Sequence, residues 1–474
     1  MIQSCLEACI SMSEVLLSAA DEEVRSLHLL TEAALPDFLS ARPPSLARLA
    51  ALAQFKAKTG QLLVAPGEAG EPDLALFGLG DGAKADGLGF RALPARLPPG
   101  DYRLASLPPE VAVHAVALGW ALGAYGFDRY RKKPAEPRAR LVAPEGVDLA
   151  EVRAIAHACA LAKDLINTPA NDMGPVQLEM AARETAEAFG ATINVVIGDE
   201  LLAANYPAVH AVGRAAHPAR APRMIEIGWG ESGRPLVAIV GKGVVFDTGG
   251  LDLKPSSAMR QMKKDMGGAA HALALAHMVM AAGLPVRLVV LLPVVENAVS
   301  GDAMRPGDII ASRKGLSIEI GNTDAEGRLI LADALARAGE LEPALTIDLA
   351  TLTGAARAAL GPQVIPFYTA DDALAADLAH ASREVGDPLW RMPLWSGYEE
   401  ALDSDIADVK NDPDSWAQAG SVTAALFLQR FAPPGAWVHL DIFAWSPRGK
   451  PGQPIGAEAQ AVRALYSLLK ARYR

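Results

Sequence analysis

From Asp148 onward the chain alternates two kinds of segment, and this alternation constrains its fold more than any other feature. The runs MIEIGW, PLVAIVG, VRLVVLLPVV and ALTIDLATL are almost continuously apolar and read as strands. Between them, GGAAHALALAHMVMAA and LILADALARAGEL read as helices. A strand with only one buried face would alternate apolar and polar residues, so strands apolar throughout must be covered on both faces. The pattern predicts an α/β fold with a mostly parallel or mixed central sheet and helices on both of its faces.

The first 130 residues have a different texture, with short apolar runs broken by Pro and Gly. DLALFGLG (73–80) reads as a strand entering a glycine turn, and PPEVAVHAVALGWALGAYGFDRY (108–130) as an amphipathic helix. RKKPAEPRARLVAPEG (131–146) is charged and Pro-rich, the best linker candidate in the chain. A helical pattern through EVRAIAHACALAKDLIN stops before Pro169. These signals divide the chain into a smaller N-terminal α/β domain (1–135), a linker and connecting helix (136–165), and a larger C-terminal domain (166–474). The glycines at 78, 80 and 82 follow a strand as a dinucleotide loop would, but the next residues are too rich in Gly and Pro to open a helix. A bound phosphate would lack its helix N-terminus, so a plain turn is expected there.

Composition bounds the function. The chain has 474 residues, 44 basic and 55 acidic, for a net charge of −11, and it is 51% hydrophobic. That apolar content excludes a disordered chain, and the acidic balance argues against nucleic acid or an anionic membrane as the main partner. Cys5, Cys9 and Cys159 cannot build a disulfide framework in a chain this long, which fits a reducing compartment. Cys5 and Cys9 share a helix face but have no second pair to complete a zinc tetrad. The N-terminus lacks the basic region of a secretory signal, and LVVLLPVV is too short to span a membrane. A soluble, cytoplasmic protein is expected.

Chemistry concentrates between residues 240 and 355. The strand LVAIVG runs into GKGVVFDTGGLDLKP, which holds Lys242, Asp247, Asp252 and Lys254. Asp265 follows just before a helix, and Asp324, Glu326 and Arg328 come after another strand. In open α/β sheets the carboxyl ends of the strands carry the site. Asp324 and Glu326 are two apart, which in an extended segment puts both carboxylates on one side. Carboxylates held together need a cation between them or a raised pKa. One or two divalent metals would neutralise four such acids. No HExxH or CxxC motif is present, and His271 and His277 lack ligand spacing, so the ligands would be oxygens with one lysine amine. Zinc can use such a set, and manganese or magnesium suit it well. Each acid alone also has a structural reading, as a helix N-terminal carboxylate or a turn cap. All of them together, beside two lysines and an arginine, do not.

At these residues the sequence resembles the leucyl aminopeptidase family of dinuclear metal peptidases, M17. NTDAEGRL (322–329) matches the family signature. VGKGVVFDTGGLDLKP (240–255), MKKDMGGAA (262–270), ENAVSGDAMRPGDII (296–310) and ATLTGA (350–355) follow in family order, as do INTPANDMGP (166–175), DIADVKN (405–411) and AGSVTAALFL (419–428). The resemblance implies a metal-dependent aminopeptidase that releases N-terminal amino acids from peptides. It implies two divalent ions, zinc or manganese or magnesium, held by Lys242, Asp247, Asp265, Asp324 and Glu326. Asp247 and Glu326 would bridge the ions, Lys242 and Asp265 would complete one site, and Asp324 the other. A lysine ligand must be neutral, which burial beside a dication allows. Lys254 and Arg328 fall on the catalytic positions, Lys254 for the oxyanion and Arg328 for a bicarbonate that moves the proton. Leu352 and Gly354 would offer backbone groups to the substrate, while Met262 and Thr351 would line the first side-chain pocket. A homohexamer is implied as well.

Two departures from the family pattern stand out. The usual Asp-Ile-Ala-Gly is here Asp441-Ile442-Phe443-Ala444, so a narrower or reshaped first pocket is expected at Phe443. GAEAQAVRALYSLL (456–469) replaces a Gly-Ala-Thr-Gly start, and being placed away from the ligands it is expected to alter packing or assembly. The rival readings are a DNA-binding or architectural relative, using RKK (131–133) and RAR (138–140), and a non-catalytic homologue.

Overall fold

A computed structural model describes residues 15–19, 23–68, 70–82, 89–132, 138–413 and 418–474. The chain forms two compact units: residues up to Ala160 with Arg448–Ile455, and Leu161–Pro447 with Gly456–Arg474. Cys5 and Cys9 lie outside the described residues, and Cys159 is buried. Among the described residues, no helix is long and apolar enough to cross a membrane.

The first unit is built on a six-stranded sheet in the order Leu16–Leu17, Ala139–Val142, Gly100–Ser106, Val24–Leu30, Pro72–Gly78 and Leu62–Pro66. All neighbours run parallel except the last pair. The predicted strand at 73–80 and helix at 108–130 appear as Pro72–Gly78 and Val113–Gly123. The Pro-rich segment read as a linker contains a strand, Ala139–Val142, that lies inside this sheet. Ala139 and Leu141 alternate with half-buried neighbours, and this short apolar register outweighs the flanking charge and prolines. The helix read as a connector, Leu149–Asn167, contributes Val152, Ala156 and Ala160 to the core of this unit. Gly78 to Gly82 form a turn, as expected.

The second unit carries a nine-stranded mixed sheet. Its order is Leu389–Arg391, Ile365–Tyr368, Trp437–Asp441, Leu345–Ala350, Leu236–Gly241, Arg287–Asn297, Arg223–Trp229 and Thr192–Ile197. Gly243–Asp247 pairs with the far end of Arg287–Asn297. The four central strands, from Trp437–Asp441 to Arg287–Asn297, run parallel. Leu236–Gly241, Leu345–Ala350 and Trp437–Asp441 are buried at every position and Arg287–Asn297 from Leu288 to Val295, which is why their sequences do not alternate. On one face, Ala238, Val240, Val289 and Leu291 share a core with Leu331 and Leu335 of the helix Glu326–Gly339. On the other, the helix Gly267–Ala281 packs between the sheet and the C-terminal helix Val462–Tyr473, so it is apolar almost all round.

Candidate active site

Register brings the chemistry together. Leu349 pairs with Gly241 and Ala350 with Asp441, so the parallel strands end in line. Lys242, Thr351 and Asp441 therefore sit at adjacent carboxyl ends. Gly268 allows this convergence: a Cβ there would come within 2.1 Å of the Leu349 carbonyl oxygen. At that edge a cleft of about 560 Å³ is lined by Lys242, Asp247, Lys254, Met262, Asp265, Asp324, Thr351, Leu352, Gly354 and Phe443, with Lys264, Arg357 and Asp441 among their neighbours. Glu326 and Arg328 are buried in the first turn of the helix Glu326–Gly339.

Asp324 and Glu326 do not come from an extended segment. The strand before them, Ser317–Glu319, belongs to a separate three-stranded sheet with Ile309–Ala311 and Val409–Lys410. Asp324 lies in a turn and Glu326 opens the helix, so a turn brings the two acids to one site. Asn411 fixes this turn by accepting from the Gly321 and Asn322 amides at 2.8 and 3.2 Å and donating to the Asn322 carbonyl at 2.8 Å.

The ion pairs form a crossed pattern. Lys242 Nζ lies 2.8 Å from Asp265 and 2.9 Å from Glu326. Lys254 Nζ lies 2.8 Å from Asp247 and also contacts Asp324. Gly327 gives Lys242 its path, because a Cβ there would fall 2.6 Å from Nζ. Burial pushes the Lys242 ammonium towards its neutral form, but Asp265, Glu326 and Asp247 outweigh it and hold the pKa above its ordinary value. With protein charges alone around it, Lys242 is thus a counter-ion, and a metal must displace its proton. Burial, then repulsion from Asp247, lifts Glu326 to about 8 and Asp324 to about 6, against the pull of the lysines. Four acids against two lysines leave an excess of negative charge, which a proton on Glu326 or added cations can relieve.

The donor set fits divalent metal. Asp247, Asp265 and Glu326 are buried and offer carboxylate oxygens within 4.8 Å of one another. Among the described residues, the buried Asp265 Oδ2, Asp324 Oδ1 and Glu326 Oε1 have only the ammonium groups of Lys242 and Lys254 close to them. Such oxygens are costly unless a cation takes them. Supporting groups fix the acids. Asn297 Nδ2 and the Gly249 amide each donate to Asp247 Oδ1 at 2.8 Å, and Thr351 Oγ1 donates to Asp265 Oδ1 at 2.8 Å. Asn297, Asn411 and Asp441 carried no ligand or pocket signal in the sequence beyond lying in or beside family-like segments.

Residues 160–466 match the cytosol aminopeptidase family, catalytic domain, and residues 26–144 match the M17 aminopeptidase, N-terminal domain. The chain belongs to the cytosol aminopeptidase family. A probable cytosol aminopeptidase of Geobacter sp. (strain M21) is 39% identical over 460 residues, 90% of this chain and 91% of that one. Another, of Syntrophotalea carbinolica, is 42% identical over 384 residues, 77% of this chain and 76% of that one. The crystal structure of the cytosol aminopeptidase from Coxiella burnetii matches with a TM-score of 0.90 at 40% identity, covering 97% of this chain and all of that one. A bottromycin maturation enzyme in complex with Mn matches at 0.85 and 35% identity, covering 95% of this chain and all of that one. The protein is a metal-dependent aminopeptidase that acts on peptides. The DNA-binding and non-catalytic alternatives are not favoured.

The second departure is not remote from the site. Trp445–Ser446 pairs antiparallel with Gly456–Ala457 and folds the following segment back. The Gln460 side chain then accepts from the Ala444 amide at 2.7 Å and donates to the Pro362 carbonyl at 2.8 Å. The two departures from the family pattern thus meet behind Phe443.

Proposed function

We propose that this aminopeptidase works through two divalent cations, zinc or manganese, with magnesium as a further candidate, held by Lys242, Asp247, Asp265, Asp324 and Glu326. Asp247 and Glu326 would be shared between the ions, Lys242 and Asp265 would complete one site, and Asp324 the other. The observation that carries this reading is the buried trio Asp247, Asp265 and Glu326, with ligand oxygens within 4.8 Å of one another. Such a pair of ions supplies Lewis acidity and a water acidic enough to ionise near neutral pH.

The chain's own groups do the rest. Lys254, which here pairs with Asp247 and Asp324, would be free of them once those acids serve cations, and would donate to the oxyanion that develops on the scissile carbonyl. Arg328 would hold a bicarbonate: its Nη1 donates to the Asn411 carbonyl at 2.5 Å, while its buried Nε has no hydrogen-bond partner among the described residues and can serve a planar anion. The Leu352 amide is engaged by Asp441 at 3.0 Å, so its carbonyl is the backbone group left for the substrate. Gly354 offers backbone beside it, and Met262, Thr351 and Phe443 wall the space for the first side chain. The family relationship also supports a homohexamer in the cytoplasm, which a mass measurement in solution and cell fractionation would check.

The test is hydrolysis of an aminoacyl p-nitroanilide by the purified protein. Activity should vanish with a chelator and return with added Mn²⁺ or Zn²⁺. No turnover with either ion would overturn the reading.

A further inference from the structure

One wall of the cleft carries positive charge that the catalytic cluster does not use. Lys264 lies beside Asp265 in the turn Met262–Met266, lines the cleft, and is only 7% exposed. Among the described residues its ammonium has no hydrogen bond and no ion pair. What it meets is the ring of Phe443, 4.9 Å from Nζ to the centroid. Arg357, exposed on the helix Gly354–Leu360, lines the same cleft and sets its guanidinium carbon 5.1 Å from the same ring. It too has no acid partner among the described residues.

The ring alone does not match the hydration that Lys264 gives up. A cation–π contact is worth about 2 kcal/mol when desolvated, and Lys264 lines the cleft, where an anion that enters can meet it. The two carboxylates facing Lys264 are already committed. Asp265 serves Lys242 and Thr351. Asp441 accepts from the Leu352 and Thr353 amides at 3.0 and 3.1 Å and from Thr353 Oγ1 at 2.6 Å. Two cations therefore approach one ring in the lining of the cleft, and among the described residues no uncommitted carboxylate faces them.

We propose that this corner, where Lys264 and Arg357 both approach the ring of Phe443, receives the side-chain carboxylate of an acidic first residue, so that the enzyme releases N-terminal Glu and Asp in preference to Gln and Asn. The inference rests on the aminopeptidase centre proposed above. Position selects the first residue: Lys264, Arg357 and Phe443 line the same cleft as Asp247, Asp265 and Asp324, beside Met262 and Thr351 of the first side-chain pocket. Phe443 fills the space that a bulky aliphatic side chain would need. The reaction is unchanged: water adds across the first peptide bond, and the acidic amino acid and the shortened peptide leave.

The test compares kcat/KM for Glu and Gln p-nitroanilides on the metal-loaded protein. A charge-assisted contact predicts a preference for Glu of about tenfold or more. Lys264→Met should bring the Glu-to-Gln ratio close to one, and Arg357→Met should lower it in part. Because the ratio is taken within one protein, a partial loss of metal or folding cancels. A wild-type ratio at or below one, with Ala p-nitroanilide turned over normally, overturns the inference and leaves the aminopeptidase reading intact. If Lys264→Met instead removes a preference for Leu-Gly over Leu-Gly amide, the corner reads the peptide's C-terminal carboxylate and the inference fails. Thermal stabilisation by free glutamate against glutamine decides the matter without turnover: a larger shift with glutamate supports the corner, and equal shifts refute it.

Discussion

The cleft has two walls that handle positive charge in opposite ways, and one five-residue turn, Met262–Met266, supplies residues to both. On the first wall, Lys242 and Lys254 each sit between two carboxylates. On the second, Lys264 and Arg357 share only the ring of Phe443. A lysine between acids holds those acids in place and yields them to a stronger cation. A lysine whose neighbouring acids are already committed, as Asp265 and Asp441 are beside Lys264, keeps its charge for whatever enters. The proposed metal chemistry and the proposed recognition would then use the same residue type, with its partners deciding which.

The largest effect should come from breaking the matched wall. Glu326→Gln or Asp247→Asn removes a charge that the proposed centre would share between its cations, and turnover should become undetectable in an anilide assay. Retention of more than about a tenth of activity would refute the assigned roles. Lys254→Ala separates catalysis from metal holding. It should lower kcat by about 10²–10³-fold, the range for removing one oxyanion donor. Bound metal, measured by elemental analysis, should not fall, because the variant loses a competitor for Asp247 and Asp324. Parallel loss of metal and activity would make Lys254 a structural residue instead.

Much of the first wall was legible in the sequence, and little of the second. Continuous apolar runs force a two-sided sheet, and a sheet of that kind puts GKGVVFD and TLTG at strand ends. Acids too dense to coexist without cations then mark the centre. Three features escaped because no local pattern encodes them. The strand Ala139–Val142 is only four residues long, and beside the prolines and charges that precede it the local sequence reads as a linker. Asp324 and Glu326 converge through a turn held by Asn411, far away in sequence, instead of through strand alternation. The link between Gln460 and Ala444 depends on the pairing of Trp445–Ser446 with Gly456–Ala457, so a segment that read as remote supports the pocket wall. Phe443 was visible as a substitution, but its two cations come from separate segments that only the fold joins.

An intermediate effect should sharpen the second wall. Phe443→Ala opens the pocket and should raise kcat/KM for Leu and Met amides relative to Ala amide by about tenfold, the scale set by a few buried methylenes. A wild-type enzyme that already prefers large branched residues would sink the view that Phe443 restricts the pocket.

The smallest effect concerns the support behind that wall. His271 donates from Nδ1 to the Gly267 carbonyl at 2.6 Å, and its Nε2 accepts from the Gln460 amide at 3.0 Å. Both contacts need a neutral ring, since a proton on Nε2 would face another donor. Burial pushes its pKa down from 6.5 to about 4. The unfolded chain therefore takes up a proton near pH 6.5 that the folded chain refuses until about pH 4. The stability tied to this group is complete above 6.5 and declines as pH falls through that window. Denaturation at pH 7 and pH 5 should show wild type losing on the order of 2 kcal/mol more than His271→Gln. The variant should be less stable at pH 7 yet less sensitive to acid. Equal losses in both proteins would mean that His271 takes up its proton without opposing Gln460, and that the wall behind Phe443 does not depend on a neutral ring.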